Sequence, residues 1–414
     1  MHSTADMEPA VAVARLAGTI ASQSRPKSPL AHLIRGGGNT QLFIPNGSRL
    51  YTLAGDVEQR IARALDAGDE AELHDLLVRC GLSASDYVDD TPLESARLYA
   101  LSLAIAQKCN MGCTYCYADQ GSFGGKSKSM TLETALCAID LLMDQCPEGE
   151  KVQLTFLGGE PLANRKALTE ATTYAVAKAA RKHIKVGFSI TTNGTMVTEA
   201  DARFFEEYGF AVPVSLDGIG PSHDLQRPMK GGRGSFDLIM KNLAPLLAMQ
   251  EKMQVSARVT VTPRNLDLSV MLDEFIRMGF HSVGFSPLLR SINGRDEMGR
   301  EELSLLLENM IACGLNFEKN VLAGRRYPFL NMVNALKEIS KGTHRPYPCG
   351  AGAGYMGVSA DEELFACHRF VNEDAGKMGN LSTGIDAGLQ NGWLSSRHVS
   401  RQSPCTQCWA RYLC

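Results

Sequence analysis

Residues 98–116 read LYALSLAIAQKCNMGCTYC, an apolar run that leads into three cysteines. The run at 98–106 is apolar for most of its length, which indicates a buried β-strand. Cys109, Cys113 and Cys116 follow on a glycine-containing loop with the spacing C-x3-C-x2-C. Thiolates are ligands for zinc and for the irons of iron–sulfur clusters. The stretch therefore predicts a metal centre directly after a buried strand.

The spacing admits two kinds of centre. A structural zinc site is normally closed by four ligands, and no fourth Cys or His lies close in sequence. Asp119 is the nearest further ligand, although its oxygen matches a soft thiolate site poorly. Three cysteines on one loop suit a [4Fe–4S] cluster that keeps one iron open. The spacing favours the cluster and leaves zinc as the alternative.

Beyond residue 97, apolar runs alternate with patterns typical of amphipathic helices. The runs span 98–106, 152–157, 186–191, 211–216, 255–261 and 281–286. The helical patterns lie near 131–145, 165–183, 199–208, 235–252, 267–278 and 300–318. Such alternation predicts an α/β fold with a parallel sheet and right-handed crossovers. Six strand–helix units are too few to close an eight-stranded barrel.

Short polar motifs follow the first four runs directly. The cysteine loop follows the first run, and Gly158-Gly159-Glu160-Pro161 follows the second. Thr191-Thr192-Asn193-Gly194-Thr195 and Ser215-Leu216-Asp217-Gly218 follow the third and fourth. Because the chemistry of such barrels lies at the carboxyl ends of their strands, we expect these motifs to share one site.

The cysteine loop, with aromatic residues at Tyr115 and Tyr117, resembles that of radical S-adenosylmethionine (SAM) enzymes. The three motifs above match the family in order, as does the stretch His223-Asp224-Leu225-Gln226-Arg227. The resemblance implies an open (β/α)6 partial barrel, in agreement with the strand count. It also implies a [4Fe–4S] cluster, SAM and a reducing partner such as flavodoxin or ferredoxin. In this family reductive cleavage of SAM yields a 5′-deoxyadenosyl radical that abstracts hydrogen from the substrate.

The family pattern assigns cofactor contacts to particular residues of this chain. Glu160 would accept hydrogen bonds from the SAM ammonium group, and Arg227 would pair with the SAM carboxylate. Ser215 and Asp217 would bind ribose or carboxylate. The predicted SAM-binding set is Gly158, Gly159, Glu160, Asn193, Ser215, Asp217 and Arg227. His223 is expected to be structural, and the glycine-rich stretch 231–234 to be a loop rather than a phosphate cradle.

The sequence predicts five segments, of which the barrel is the third. Residues 1–34 are expected to be disordered, and 35–92 to form a small α+β module. In that module Asn46-Gly47 predicts a hairpin, and helices are predicted at 56–67 and 70–80. The module resembles winged-helix units that bind leader peptides, with a purely structural extension as the alternative. The barrel would occupy 93–320, a linker 321–344 and a cysteine-rich domain 345–414.

The last segment resembles the SPASM-type domain of peptide-modifying radical SAM enzymes, which holds up to two auxiliary [4Fe–4S] clusters. A hairpin is predicted between Cys349 and Cys367, with Glu362 where the family usually has glycine. Cys405, Cys408 and Cys414 would serve the second cluster, with zinc as the alternative. The ligand set is thus Cys109, Cys113, Cys116, Cys349, Cys367, Cys405, Cys408 and Cys414. The family pattern runs past Cys414, so we expect the domain to be truncated here.

Two differences from sulfatase-maturing relatives bear on the product. Tyr355 stands where those enzymes carry a further cysteine, and His368 where they carry an acidic residue. The cysteine contexts resemble thioether-forming maturases of SCIFF peptides and of quinohemoprotein amine dehydrogenase. A precursor peptide linked through a Cys thioether is therefore expected, with His368 as a candidate base of suitable pKa or a surface histidine. Carbon–carbon cross-linking, formylglycine formation and a non-enzymatic iron–sulfur or zinc scaffold are the alternatives.

Net charge, apolar runs and cysteine spacing limit the binding partners and the cellular compartment that the sequence predicts. The formal net charge of −3 and the lack of a basic stripe argue against nucleic acid. The sequence contains no run of 18 apolar residues, so no membrane span is predicted. Its first residues do not show the pattern of a secretory signal. The 12 cysteines cluster at metal-site spacings, which favours a reducing, cytoplasmic compartment over a disulfide framework.

Overall fold

The computed structural model describes residues 30–36, 39–82, 91–347 and 349–413. The predicted disorder of residues 1–29 and the last ligand, Cys414, lie outside these ranges. The described chain forms two compact units. One unit takes its residues from 30–94, 332–350 and 392–413, and the other consists of Ser95–Asn331 and Ala351–Asn391.

The first unit contains a three-stranded antiparallel sheet and two helices. Its elements are β1 (His32–Gly36), β2 (Asn39–Ile44), β3 (Arg49–Leu53), α1 (Gly55–Ala67) and α2 (Glu70–Arg79). The strand order is β1-β2-β3, with Ile44 opposite Arg49 across the predicted Asn-Gly turn. Positive φ at Gly47 explains why glycine suits that turn. The predicted hairpin and helices are confirmed, whereas β1 extends into the predicted disordered segment.

Apolar side chains on one face of the small sheet form the core of this unit with the two helices. The cluster includes Leu42, Ile44, Ile61, Leu65 and Leu73. The C-terminal residues of the same unit join it through aromatic contacts. The rings of His32 and Trp409 stack 4.2 Å apart at an angle of 7°.

The second unit is built on six parallel strands that follow the predicted order. They are β4 (Ala100–Gln107), β6 (Lys151–Gly158), β7 (Lys185–Ile190), β8 (Ala211–Ser215), β9 (Gln254–Val261) and β10 (Ser282–Pro287). Neighbours along β4-β6-β7-β8-β9-β10 are parallel. A two-residue strand, β5 (Lys128–Ser129), pairs with the end of β4. The predicted open parallel sheet is confirmed.

Helices that connect or follow these strands cover the sheet. They are α3 (Leu132–Asp144), α4 (Arg165–Arg181), α5 (Glu199–Glu207), α6 (Pro221–Gln226), α7 (Phe236–Ala248), α8 (Leu268–Arg277) and α9 (Arg300–Leu322). Helix α5 begins at a capping box in which the Thr198 and Asp201 side chains satisfy each other's backbone N–H groups. Alternate residues of β9, beginning with Val255 and Ala257, are buried, while Ser256 and Thr260 are less buried. This alternation separates a helix-packed face from a face that remains available for a site.

Four short strands extend the sheet beyond β4. Strand β11 (Tyr355–Val358) runs parallel to β4, and β12 (Glu363–Phe365), β13 (Lys377–Asn380) and β14 (Gly384–Ile385) continue antiparallel. The hairpin predicted between Cys349 and Cys367 is confirmed as β11–β12. The pairing of this hairpin with the barrel sheet was not predicted. The hairpin belongs to the barrel unit, whereas residues 392–413 belong to the first unit, so the predicted 345–414 domain is divided between the two.

Two further helices complete the described chain, α10 (Leu330–Ser340) and α11 (Ala387–Arg397). Helix α10 lies within the predicted linker, residues 321–344. Over the ranges that the structure covers, no helix has both the length and the hydropathy of a membrane span.

Candidate functional site

A cavity of about 280 Å³ opens among residues that follow the carboxyl ends of the parallel strands. It is lined by Cys109, Cys113, Tyr115, Cys116, Tyr117, Ala118, Gly121, Thr155, Leu157, Gly158, Gly159, Thr191, Thr192, Asn193, Ser215, Arg227, Thr260, Leu288, Arg290, Tyr355, His368 and Arg369. The motifs that the sequence places after the first four strands therefore meet in one cavity, as the barrel argument predicts.

The three cysteines of the first loop all line this cavity. Backbone hydrogen bonds fix the loop, because the Gly112 N–H donates to the Pro228 carbonyl at 2.8 Å and Thr114 N–H to Gln226 at 3.1 Å. Burial raises the pKa of the Cys113 thiol to about 11. A metal ion bound to the sulfur would stabilise the thiolate and offset this desolvation.

Glycines allow two backbone segments to approach the cysteine loop closely. A Cβ atom on Gly159 would lie 2.3 Å from the Lys108 carbonyl oxygen. A Cβ atom on Gly121 would lie 2.7 Å from the Cα of Gly159. Gly158 has φ of 151°, and its Cβ would lie 2.2 Å from the Ala106 oxygen. Only residues without side chains permit this packing beside the cavity.

Arg227 carries a buried positive charge into the cavity wall. Its Nη1 donates to the Tyr115 hydroxyl at 2.7 Å and lies 3.5 Å from an oxygen of Asp217. Its Nε is buried and has no hydrogen-bond partner within the protein. Such an unsatisfied guanidinium donor marks a place for an anionic group.

Two predicted SAM contacts lie beneath the cavity wall. Glu160 is fully buried, and its carboxylate accepts from the Leu162 and Asn193 N–H groups and from the Thr192 hydroxyl. Burial raises the pKa of Glu160. The carboxylate is thus used to hold the loop around Asn193. The predicted bond from Glu160 to the SAM ammonium stays a prediction.

Asp217 is likewise fully buried and outside the lining set, and its predicted contact with ribose or carboxylate stays a prediction. One carboxylate oxygen accepts from the Thr260 N–H at 2.8 Å, and the other from the Tyr115 hydroxyl. Burial raises the pKa of Asp217, while the Arg227 charge opposes that effect. Asp217 therefore positions Tyr115 and Arg227 rather than lining the cavity.

The other predicted SAM residues reach the cavity. Gly158, Gly159, Asn193, Ser215 and Arg227 all line it. His223 does not, and its structural role is confirmed. The ring is buried, its Nδ1 accepts from the Asp217 N–H at 3.2 Å, and its Nε2 lies 3.2 Å from the Ser235 hydroxyl. Asp119, the possible fourth zinc ligand, lies outside the lining set and accepts from Ser122.

Tyr355 and His368 face the cavity as a hydrogen-bonded pair. The Tyr355 hydroxyl lies 2.6 Å from His368 Nδ1 and 2.8 Å from the Ser102 hydroxyl. His368 is therefore not a surface histidine. Burial, aided by the Arg369 charge, lowers the pKa of His368 to about 4. Desolvation of the ring argues against a pKa near neutrality, and the role of His368 as a base stays a prediction.

Sequence reasoning missed two arginines at this site, Arg290 and Arg369. The Arg369 guanidinium lies 4.8 Å from the centre of the Tyr117 ring, a cation–π contact. Among the described residues that line the cavity, the fully ionised side chains are arginines and none is acidic. The position of Arg369, two residues after Cys367, was the available signal. The cavity thus favours anionic contents.

The structure places the C-terminal cysteines separately. Cys349 is exposed in the first unit, and Cys367 is buried in the second. Cys405 and Cys408 are partly exposed and joined by a 3.0 Å backbone hydrogen bond. Within the ranges described, no three Cys, His, Asp or Glu side chains converge to hold a single metal ion. The predicted auxiliary ligand sets stay predictions.

The residues around the cavity fit a thiolate-held cluster with a bound cofactor that carries a carboxylate group. Three soft sulfur ligands surround one space, which is the donor set of an iron–sulfur cluster with an open iron. The unsatisfied Nε of Arg227 suits a carboxylate. Gly158 and Gly159 let their backbone pack closely against Ala106 and Lys108 beside the cavity. Cys109, Cys113 and Cys116 would hold the cluster, and Arg227 with the glycine backbone would hold SAM.

Comparison with known proteins agrees with this geometry. The sequence model of the Radical SAM superfamily matches residues 103–286. The chain is 23% identical over 338 residues to a serine-type anaerobic sulfatase-maturating enzyme of Klebsiella aerogenes, covering 78% of this chain and 80% of that one. It is 30% identical over 190 residues to a cysteine-type enzyme of Clostridium novyi, covering 45% and 50%.

A solved structure, anSMEcpe with bound AdoMet and Kp18Cys peptide, shares the fold. It aligns with a TM-score of 0.63 and 20% identity over 76% of this chain and 88% of the other. Residues 103–286 are therefore a radical SAM domain, and the chain is an enzyme that uses a [4Fe–4S] cluster and SAM.

Proposed function

We propose that this enzyme is a maturase that oxidises a side chain in a ribosomally made peptide or protein. The observation that carries the proposal is the single cavity shared by the cysteine loop, the Gly158-Gly159 motif and the Tyr355–His368 pair. A cavity with cofactor residues on one wall and further hydrogen-bonding groups on another can hold cofactor and substrate together. The named relatives from Klebsiella and Clostridium act as maturating enzymes, which supports a macromolecular substrate.

When bound, the cluster and SAM would supply a 5′-deoxyadenosyl radical for hydrogen abstraction. The chain's own residues bind and position. Arg227 supplies a charged donor for a carboxylate, and Tyr115 and Asp217 hold that guanidinium in place. Leu157 and Leu288 add apolar surface to the cavity wall, which helps to exclude water.

We propose a Cys-to-carbon thioether as the product. Its support is Tyr355, which stands where sulfatase-maturing relatives carry a cysteine. The Tyr355 hydroxyl is engaged by Ser102 and His368 and lies in the cavity wall. An auxiliary cluster with one protein ligand fewer would have a position for a substrate thiolate.

Formylglycine formation is the second candidate, and the relatives favour it. Both enzymes named above are sulfatase-maturating enzymes, and one of them aligns with most of this chain. Tyr355 and His368 are then the groups that distinguish this chain from them. The lowered pKa of His368 keeps its ring neutral at neutral pH, so it remains able to accept a hydrogen bond from a substrate.

The first experiment tests the radical step alone. The enzyme, reconstituted anaerobically and reduced, should convert SAM to 5′-deoxyadenosine, and Cys113→Ala should abolish that product. Cys137→Ala is the matched control, because Cys137 is exposed on α3 and outside the cavity. Undiminished 5′-deoxyadenosine from the Cys113 variant would refute the assignment.

The second experiment identifies the product. Treated peptides from the neighbouring reading frames would be analysed by mass spectrometry after thiol alkylation and after reaction with an aldehyde probe. A thioether loses two hydrogens per link and one alkylatable cysteine. Formylglycine reacts with the aldehyde probe, and a carbon–carbon link leaves every cysteine alkylatable. Either of the last two results would overturn the thioether.

A further inference from the structure

The side chain of Asn193 lies against the sulfur of a cluster ligand. Asn193 follows β7 and is buried. Its Nδ2 is 3.6 Å from Cys109 Sγ and 3.0 Å from the side-chain oxygen of Asn110. The backbone N–H of Met111 is a second donor, 3.4 Å from the same sulfur. Cys109 therefore has hydrogen-bond donors from two different loops.

The hydrogen-bond network fixes which end of the Asn193 amide meets the sulfur. The Asn193 oxygen accepts from the Thr195 backbone N–H at 2.9 Å, and a backbone N–H can only donate. The Thr195 hydroxyl lies 2.6 Å from the same oxygen. The oxygen thus faces Thr195, and the NH2 group must face Cys109 and Asn110.

The backbone of Asn193 is anchored independently of its side chain. Its N–H donates to the buried Glu160 carboxylate at 2.7 Å. Glu160 also accepts hydrogen bonds from Leu162 and Thr192, so the carboxylate holds this loop through groups other than the Asn193 side chain. Substitution of the Asn193 side chain leaves this anchor in place.

We propose that Asn193 raises the reduction potential of the cluster held by Cys109. Reduction adds negative charge to the cluster, and part of that charge resides on the thiolate sulfurs. An N–H donor aimed at one sulfur stabilises the reduced state more than the oxidised state. The amide is a positioning and tuning group that acts through Cys109.

The test is a potentiometric titration of the reconstituted holoenzyme followed by electron paramagnetic resonance. Asn193→Asp keeps the shape and the oxygen that accepts from Thr195, and it removes the donor. Asn193→Ala removes the donor without adding charge. Both variants should have a more negative midpoint than the wild type. For one electron, about tenfold less reduced cluster at a given potential corresponds to a shift of about 59 mV.

Asn242→Ala is the matched control. Its Nδ2 donates to the Thr195 carbonyl at 2.7 Å, so it braces the same loop from another residue. It should leave the midpoint unchanged. Midpoints of both Asn193 variants equal to that of the wild type would overturn the proposal. So would loss of the cluster from both variants while Asn242→Ala retains it, because Asn193 would then serve assembly rather than potential.

Discussion

The Tyr115 hydroxyl lies 2.7 Å from Nη1 of Arg227 and donates its own proton to the Asp217 carboxylate. Tyr115 stands between two cysteines of the cluster loop, whereas Asp217 follows β8. The phenol therefore links the cysteine loop to the guanidinium that faces the cavity. Buried charge-assisted bonds of this kind contribute more than neutral ones.

Tyr115→Phe should weaken SAM binding. The substitution removes the acceptor that orients Arg227 and one donor to the buried Asp217. A lost bond to charged groups costs about 1.5–3 kcal/mol, so affinity should fall by about tenfold or more. Isothermal titration of the reconstituted protein with SAM measures the effect. Tyr117→Phe is the control, because Tyr117 contacts Arg369 through its ring, and its affinity should stay within about twofold of the wild type.

The parallel sheet and the site were predictable because two independent sequence patterns agree. Apolar runs fixed the strand order, and the polar motifs fall where strands end, as at Asn193 and Ser215. Local patterns could not show which carboxylates also accept hydrogen bonds from distant groups of the protein. Glu160 and Asp217 lie in motifs that predict cofactor contact, yet both are buried under the wall by long-range partners.

The extension of the sheet by β11–β14 also escaped prediction. Strand β11 has only four residues, and its pairing with β4 joins positions more than 250 residues apart. No local signal carries that information. The hairpin itself was predictable, and the structure explains the family's usual glycine near its turn. Glu362 has φ of 65°, a conformation that favours glycine, and its carboxylate accepts from Thr134.

Gly159→Ala should displace the cysteine loop and reduce cluster occupancy. The new methyl group would lie 2.3 Å from the Lys108 carbonyl oxygen, and backbone cannot move aside as a flexible side chain can. Iron per chain and 5′-deoxyadenosine yield should both fall severalfold. Gly392→Ala, in helix α11 with nothing within 4 Å of the added Cβ, should retain full iron content. Normal iron in the Gly159 variant would show that the loop tolerates the methyl group.

His223 should make stability fall on acidification. Burial lowers its pKa to about 3, whereas an unfolded histidine titrates near 6.5. At acidic pH the unfolded chain therefore binds a proton that the folded chain does not bind. The contribution of the neutral His223 ring to stability is fully present above about pH 6.5 and declines below it. On acidification from about pH 7.5 to 5.5, this group should lower the free energy of unfolding by about 1.4 kcal/mol.

Urea unfolding of the wild type and His223→Gln at these two pH values measures that difference. The variant should lose about 1.4 kcal/mol less than the wild type on acidification, whatever its stability at the higher pH. His183→Gln, which alters an exposed ring in the same unit, should keep the pH dependence of the wild type. Equal pH dependence in wild type and His223→Gln would contradict the prediction.

The small N-terminal sheet should bind a peptide substrate along its β3 edge. Strand β3 pairs only with β2 in the described sheet, so its other side can add a strand. Leu50 on this strand is 45% exposed. Leu50→Lys should weaken binding of the unmodified precursor peptide by about tenfold, because edge lysines oppose strand addition. SAM cleavage in the absence of peptide should be unchanged.

Val78→Lys separates strand addition from a general effect of charge. Val78 is 48% exposed on helix α2 rather than on a strand, and it receives the same substitution. Fluorescence anisotropy with a labelled precursor peptide compares the two variants with the wild type. Strand addition requires that only Leu50→Lys weakens binding. If both variants bind as the wild type does, the module is a structural extension, and peptide recognition depends on residues of the barrel unit instead.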